Sequence, residues 1–183
     1  MIEGYLERRM GSRISWPAIF AGTFVFLAVE VTFGVLGTAI FASAANPAST
    51  HPVTGMSAGI GLWLVILTII AMYCGGRAAT ALSETRDRHV GMYHGLTTFG
   101  ISVFTSIVVA ALMLGATTVA PASAANAAGP ATVAGMVSTA GYWLFVALLL
   151  GMIAAGIGGS QAASAKSVLP RETSEPTEIR KVA

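Results

Sequence analysis

Glu30 is the first residue to weigh for chemistry. It sits in an apolar stretch running from Ile14 to Phe41. It lies about 14 residues past Trp16, hence ~21 Å further along a helix at 1.5 Å per residue. A charge at that depth in hydrocarbon is costly, so such a residue faces a bundle interior or water. Two chemistries follow. As an exchanging acid, Glu30 is a proton or cation site. As a neutral acid, it is a packing group hydrogen-bonded to Thr or Ser on a neighbouring helix. The packing role is the expectation, because no basic residue sits at matching depth to make a relay.

Other reactive side chains form weaker patterns. His89, His94 and Asp87 cluster at the start of the third apolar stretch, but the two histidines are not spaced i, i+4 as a helical metal pair would be. They read as interfacial polar residues. Arg77 can extend toward lipid headgroups; its alternative is an ion pair with Glu84 or Asp87, worth little if exposed. Cys74 is the only cysteine, which excludes an intrachain disulfide and a paired-cysteine metal site. Ser, His and Asp occur without a nucleophile-elbow motif, and there is no phosphate-binding glycine loop. No catalytic residue, metal or cofactor is therefore expected.

The elements that carry these residues follow from composition. Only 10% of residues are charged and 55% are apolar, a balance that suits lipid rather than water as the solvent. The pI is near 9.0, but no basic run is interleaved with aromatics, so nucleic acid is not an expected partner. Four apolar stretches, 14–41, 58–82, 91–119 and 135–159, each exceed the ~20 residues that a helix needs to cross a bilayer. Lipid demands internally satisfied backbone groups, so these are helices; the short alternating segments of a barrel are absent. The expected fold is all-α, an integral membrane four-helix bundle over residues 14–160. A short segment, 1–13, precedes it and a polar tail, 161–183, follows.

Orientation comes from the basic residues. Arg8, Arg9 and Arg13 precede the first span, Arg77, Arg86 and Arg88 lie at or after the end of the second, and Lys166, Arg171, Arg180 and Lys181 follow the fourth. Loops 43–57 and 120–134 hold no Lys, Arg, Asp or Glu. The positive-inside rule places both termini in the cytoplasm. The first span resembles a signal peptide in its basic start and in the "FASA" that follows, yet it is too long for an h-region and contains Glu30, so it reads as a retained span.

"ASAAN" occurs at Ala42–Asn46 and again at Ala122–Asn126. In that register, 13 of the 31 positions from 42 to 72 are identical, including Gly55-Met56 with Gly135-Met136 and Trp63-Leu64 with Trp143-Leu144. The first and third spans match poorly. The pattern predicts two tandem helical hairpins, related by an axis along the membrane normal. Convergence of two outside loops on one composition is the alternative.

Small residues recur every four positions on the even-numbered spans. The second carries Ala71, Gly75, Ala79 and Ser83; the fourth carries Gly151, Ala155 and Gly159, flanked by Ala154, Gly158 and Ala162. Close packing must drive association in lipid, and such residues let backbones approach. The starts of the second and third spans repeat the theme as Gly55-x-x-x-Gly59 and Gly91-x-x-x-Gly95. Trp16, Trp63 and Trp143 are expected interface anchors.

"RISWPAIFAG" (Arg13–Gly22), "GIGLWLVILTIIAMYCGGRAA" (Gly59–Ala79) and "HGLTTFGI" (His94–Ile101) resemble the small bacterial four-span membrane proteins labelled PhnA-like. The resemblance covers residues 13 to 101 and implies a bacterial inner-membrane location. Arg77, and Thr97-Thr98-Phe99 after the His-Gly-Leu, depart from the group's pattern. The resemblance brings no activity with it. Together these features predict a non-enzymatic structural or accessory subunit of a homo-oligomer or membrane complex, with the bilayer and other subunits as partners. A small channel or transporter using Glu30 is the second expectation, and a membrane enzyme the third.

Overall fold

The computed structural model describes residues 14–44, 57–116 and 130–168. The N-terminal segment, most of both uncharged loops, Gly55 of the Gly55-x-x-x-Gly59 start and the tail beyond Val168 lie outside them. Among the described residues there are four helices: α1 (Trp16–Ala44), α2 (Ser57–Leu82), α3 (Arg88–Ala116) and α4 (Pro130–Val168). All four are long and apolar enough to cross a membrane.

Local chemistry sets the ends. The Ser15 carbonyl accepts from the Ile19 N–H at 3.1 Å, and Pro17 sits in the first turn, where its missing N–H costs nothing. Asp87 caps α3: its Oδ1 accepts the His89 N–H at 2.8 Å and its carbonyl the Gly91 N–H at 2.9 Å. α4 continues through the polar residues after Gly159 that were expected to begin the tail. "QAASAKS" is rich in good helix formers, and the helix stops at Val168, just before the residue that precedes Pro170.

The packing is inverted relative to a soluble protein. Phe24, Leu112, Tyr142 and Phe145 are 65–73% exposed, while Thr80, His94, Thr98 and Ser102 are wholly enclosed. Water would not tolerate so much apolar surface; lipid solvates it and leaves polar side chains to the interior.

α1 and α2 run antiparallel, as do α3 and α4, giving two tandem hairpins. Each hairpin is joined in the same way. A Cβ added at Gly22 would meet the Gly75 carbonyl oxygen at 2.6 Å and the Ala79 methyl at 2.7 Å. One at Gly91 would meet the Gly159 carbonyl oxygen at 2.6 Å and the Ala163 methyl at 2.8 Å. α2 and α4 run parallel and form the largest interface, with Gly76 against Ala155 and Gly61 beneath the Trp143 indole.

The expected axis along the membrane normal is not found. Such an axis exchanges α1 with α3 and α2 with α4, so an α2–α3 contact demands an α1–α4 contact. α3 packs on α2 and on α1, whereas α1 and α4 do not meet among the described residues. The hairpins stand side by side. α1 and α3 occupy different neighbourhoods, which accounts for their poor sequence match.

Candidate functional site

Glu30 occupies the middle of α1, between the Phe26–Gly75 and Gly37–Trp63 contacts. Its Oε2 is buried and has no hydrogen-bond partner, so the expected bond to a neighbouring Thr or Ser is not made there. Ser102 Oγ and Trp63 Nε1 are the other buried polar atoms without partners among the described residues. Ser102 lies on α3 beyond Phe99, which approaches Gly151 opposite Thr68 and Met72. By these contacts Glu30 and Ser102 stand within about a turn of each other in height.

The remaining buried polar groups are spent on the main chain. Thr23 Oγ1 donates to the Ile19 carbonyl, Thr98 Oγ1 to His94, Ser83 Oγ to Thr80 and Ser160 Oγ to Ile157. Thr80 Oγ1 crosses helices to the Gly91 carbonyl at 3.0 Å. His94 is not interfacial, as its position had suggested, but fully buried. Its Nδ1 meets the Val90 carbonyl at 2.9 Å and its Nε2 the Ser15 N–H at 3.0 Å. A carbonyl only accepts and an amide only donates, so Nδ1 carries the proton and Nε2 the lone pair. This ring ties the start of α1 to α3. His89 is exposed, and no group of three His, Cys, Asp or Glu converges among the described residues.

Around His94 lies the end of the bundle that carries Arg77, Arg86, Arg88 and Lys166, the basic end. Lys166 Nζ, from α4, donates to the Thr80 carbonyl at 2.9 Å and to the Ser83 carbonyl, capping the last turn of α2. Arg77 makes neither proposed ion pair. Its Nη1 donates to Tyr73 Oη at 3.3 Å, and Tyr73 Oη donates to Gln161 Oε1 at 2.8 Å.

The small residues singled out in the sequence sit at helix contacts. Gly75 and Ala79 face Gly22; Gly151 faces Thr68 and Met72; Ala155 meets Gly76 and Gly95; Gly158 meets the backbone of Tyr73 and Arg77; Gly159 meets Gly91. Ala71 is fully buried beside Phe26 and Met72. Trp16 is exposed at the start of α1, whereas Trp63 covers Gly37 and stacks edge-on to Phe41 at 6.4 Å. Cys74 is half-buried.

Sequence reasoning passed over Ser102, Tyr73 and Gln161, and used Lys166 for orientation alone. One signal was available: His94, Thr98 and Ser102 recur every four residues, the spacing of a single helix face, and all three are fully enclosed.

Fold and site together define an all-α, multi-pass membrane protein. No protein-family model matches the chain, and neither characterised proteins nor solved structures match it.

Proposed function

We propose that this chain is a non-enzymatic structural or accessory subunit of a homo-oligomer or larger membrane complex. The carrying observation is the use of its buried polar side chains. Apart from Glu30, Trp63 and Ser102, each described one is bonded to main chain, within a helix or between helices. Groups so engaged are satisfied within their own helix or, at Thr80 and His94, join two helices, and they leave little to bind or transform a substrate. The association half of the reading is supported by α1. On either side of its contact with Trp63, α1 presents an open, largely apolar face formed by Val31, Gly34, Val35, Thr38, Ala39 and Ala42. A Cβ added at Gly34 there would meet nothing within 4 Å. We place the protein in a bacterial inner membrane with both termini cytoplasmic, on the one-sided Lys and Arg distribution and the PhnA-like resemblance.

The test is cross-linking in native membranes, followed by extraction in mild detergent and light scattering. The expected protein mass of the particle, with bound detergent subtracted, exceeds the 18.7 kDa of one chain, by self-association or by a second, stoichiometric protein. A monomer before and after cross-linking overturns the reading.

A second reading, a small channel or transporter, is favoured by the unpartnered carboxyl oxygen of Glu30 and the unpartnered Ser102 hydroxyl at similar height.

A further inference from the structure

We propose that Arg77, Tyr73 and Gln161 form a binding site for the phosphate of an anionic membrane lipid, on the α2–α4 seam at the basic end. The site exists because Gly158 has no side chain. A Cβ there would collide with the Tyr73 carbonyl oxygen and approach the Arg77 nitrogen to 3.2 Å. The two backbones therefore come close enough for Tyr73 to reach Gln161, which lies one turn beyond Gly158. Ala155 and Gly159 turn to Gly95 and Gly91 of α3. This side of the seam is consequently left uncovered by α3, and Arg77 and Gln161 are exposed.

The three side chains orient one another. The Tyr73 hydroxyl donates to Gln161 Oε1, so the amide nitrogen of Gln161 is left as a free donor. The same hydroxyl accepts from Arg77 Nη1 and turns the guanidinium to the seam. Among the described residues, the other guanidinium N–H groups have no partner. Of the two acids that could have neutralised Arg77, Asp87 caps α3 instead and Glu84 lies toward Lys166. What remains is a positive, donor-rich surface with no carboxylate bonded to it, the complement of a phosphate.

The neighbouring side chains select an amphiphile. Along α4, Gln161 continues the face of Ile153 and Ile157, which are 49% and 45% exposed; along α2, Ile66 and Ile70 are 47% and 49% exposed. Arg77 lies just over a turn before the end of α2 at Leu82, where a long cationic side chain extends to the headgroup layer. A headgroup phosphate at Arg77 and Gln161 would thus lay its acyl chains along the isoleucines. The site does not depend on whether the chain has partners.

The experiment is native mass spectrometry of the full chain, released from mixed micelles holding equal phosphatidylglycerol and phosphatidylcholine. Wild type is expected to retain phosphatidylglycerol in preference. Arg77→Gln and Gln161→Leu should each lower that retention about fivefold or more, as loss of a charge-assisted hydrogen bond implies. Tyr73→Phe, which leaves both donors but unties them, should lower it less. Arg86→Gln, on the exposed turn after α2, should leave it unchanged. Equal retention of the two lipids by wild type overturns the site, as does an unaltered preference in Arg77→Gln. Should Arg77→Gln fail to fold, an unaltered preference in Gln161→Leu overturns it equally. A separate arm adds millimolar inorganic phosphate. Displacement of the lipid by phosphate would show a free-anion site and defeat the lipid assignment.

Discussion

Glu30 is the residue on which the two functional readings divide. Glutamine at this position keeps the size and the hydrogen-bonding capacity and removes ionisation. A hydrogen bond between membrane helices contributes ~0.6 kcal/mol on average, and Glu30 Oε2 makes none. Glu30→Gln is therefore expected to fold and assemble as wild type does. The channel reading demands proton or cation flux in liposomes that disappears in Glu30→Gln while the fold survives. Side-by-side flux measurements separate the readings. A robust wild-type flux abolished by this substitution would overturn the structural-subunit reading, and no flux in either protein would remove the channel. His94 illustrates the opposite use of a polar residue. Both its ring nitrogens are occupied by main-chain groups, so the ring serves the joint between α1 and α3 and has no free nitrogen for chemistry.

At the scale of elements, the helices are joined backbone to backbone. The consequence is sharper than a general intolerance of bulk. At Gly158 even one methyl group would collide with the carbonyl oxygen of Tyr73, which cannot rotate away as a side chain could. At Gly34 a methyl group would meet nothing within 4 Å. Gly158→Ala is therefore expected to destabilise the bundle by about 1–3 kcal/mol, the usual cost of overpacking. Gly34→Ala should be neutral or stabilising, because Ala is the better helix former. Thermal unfolding of both variants as purified monomers in one detergent checks the contrast. Equal unfolding temperatures would mean that the α2–α4 seam is looser than its glycines imply.

At the scale of the whole molecule, the four helices bring Arg77, Arg86, Arg88 and Lys166 to one end. By the positive-inside rule that end faces the cytoplasm. In a Cys74→Ala background, cysteines at Ser49, in the first uncharged loop, and at Thr132, in the first turn of α4, should react with an impermeant thiol reagent outside intact cells. A cysteine at Arg86 should not. Arg86 is the suitable inner position because it is exposed, whereas the nearby Thr85 is only 2% exposed. Labelling at Arg86 alone would invert the topology.

Much of this arrangement was legible in the order of residues. Span length and apolarity suffice for four helices, because lipid permits few other structures. The four-residue recurrence of Ala71, Gly75 and Ala79, and of Gly151, Ala155 and Gly159, points to close helix contacts, since small residues are what lets backbones approach in a membrane. What the sequence could not settle was which helix each face would meet. The 80-residue repeat suggested an axis between hairpins, but α3 lies against α1, α2 and α4, while α1 and α4 do not meet among the described residues. His94 looked interfacial beside Asp87 and His89, yet it is buried, because α1 begins against that turn of α3. Tyr73 and Gln161 stand 88 residues apart and are joined only by the approach at Gly158. Helix formation is dictated locally, by side-chain polarity in the bilayer. The choice among several apolar faces of similar character is made by the joint fit of all four helices, which no single span encodes.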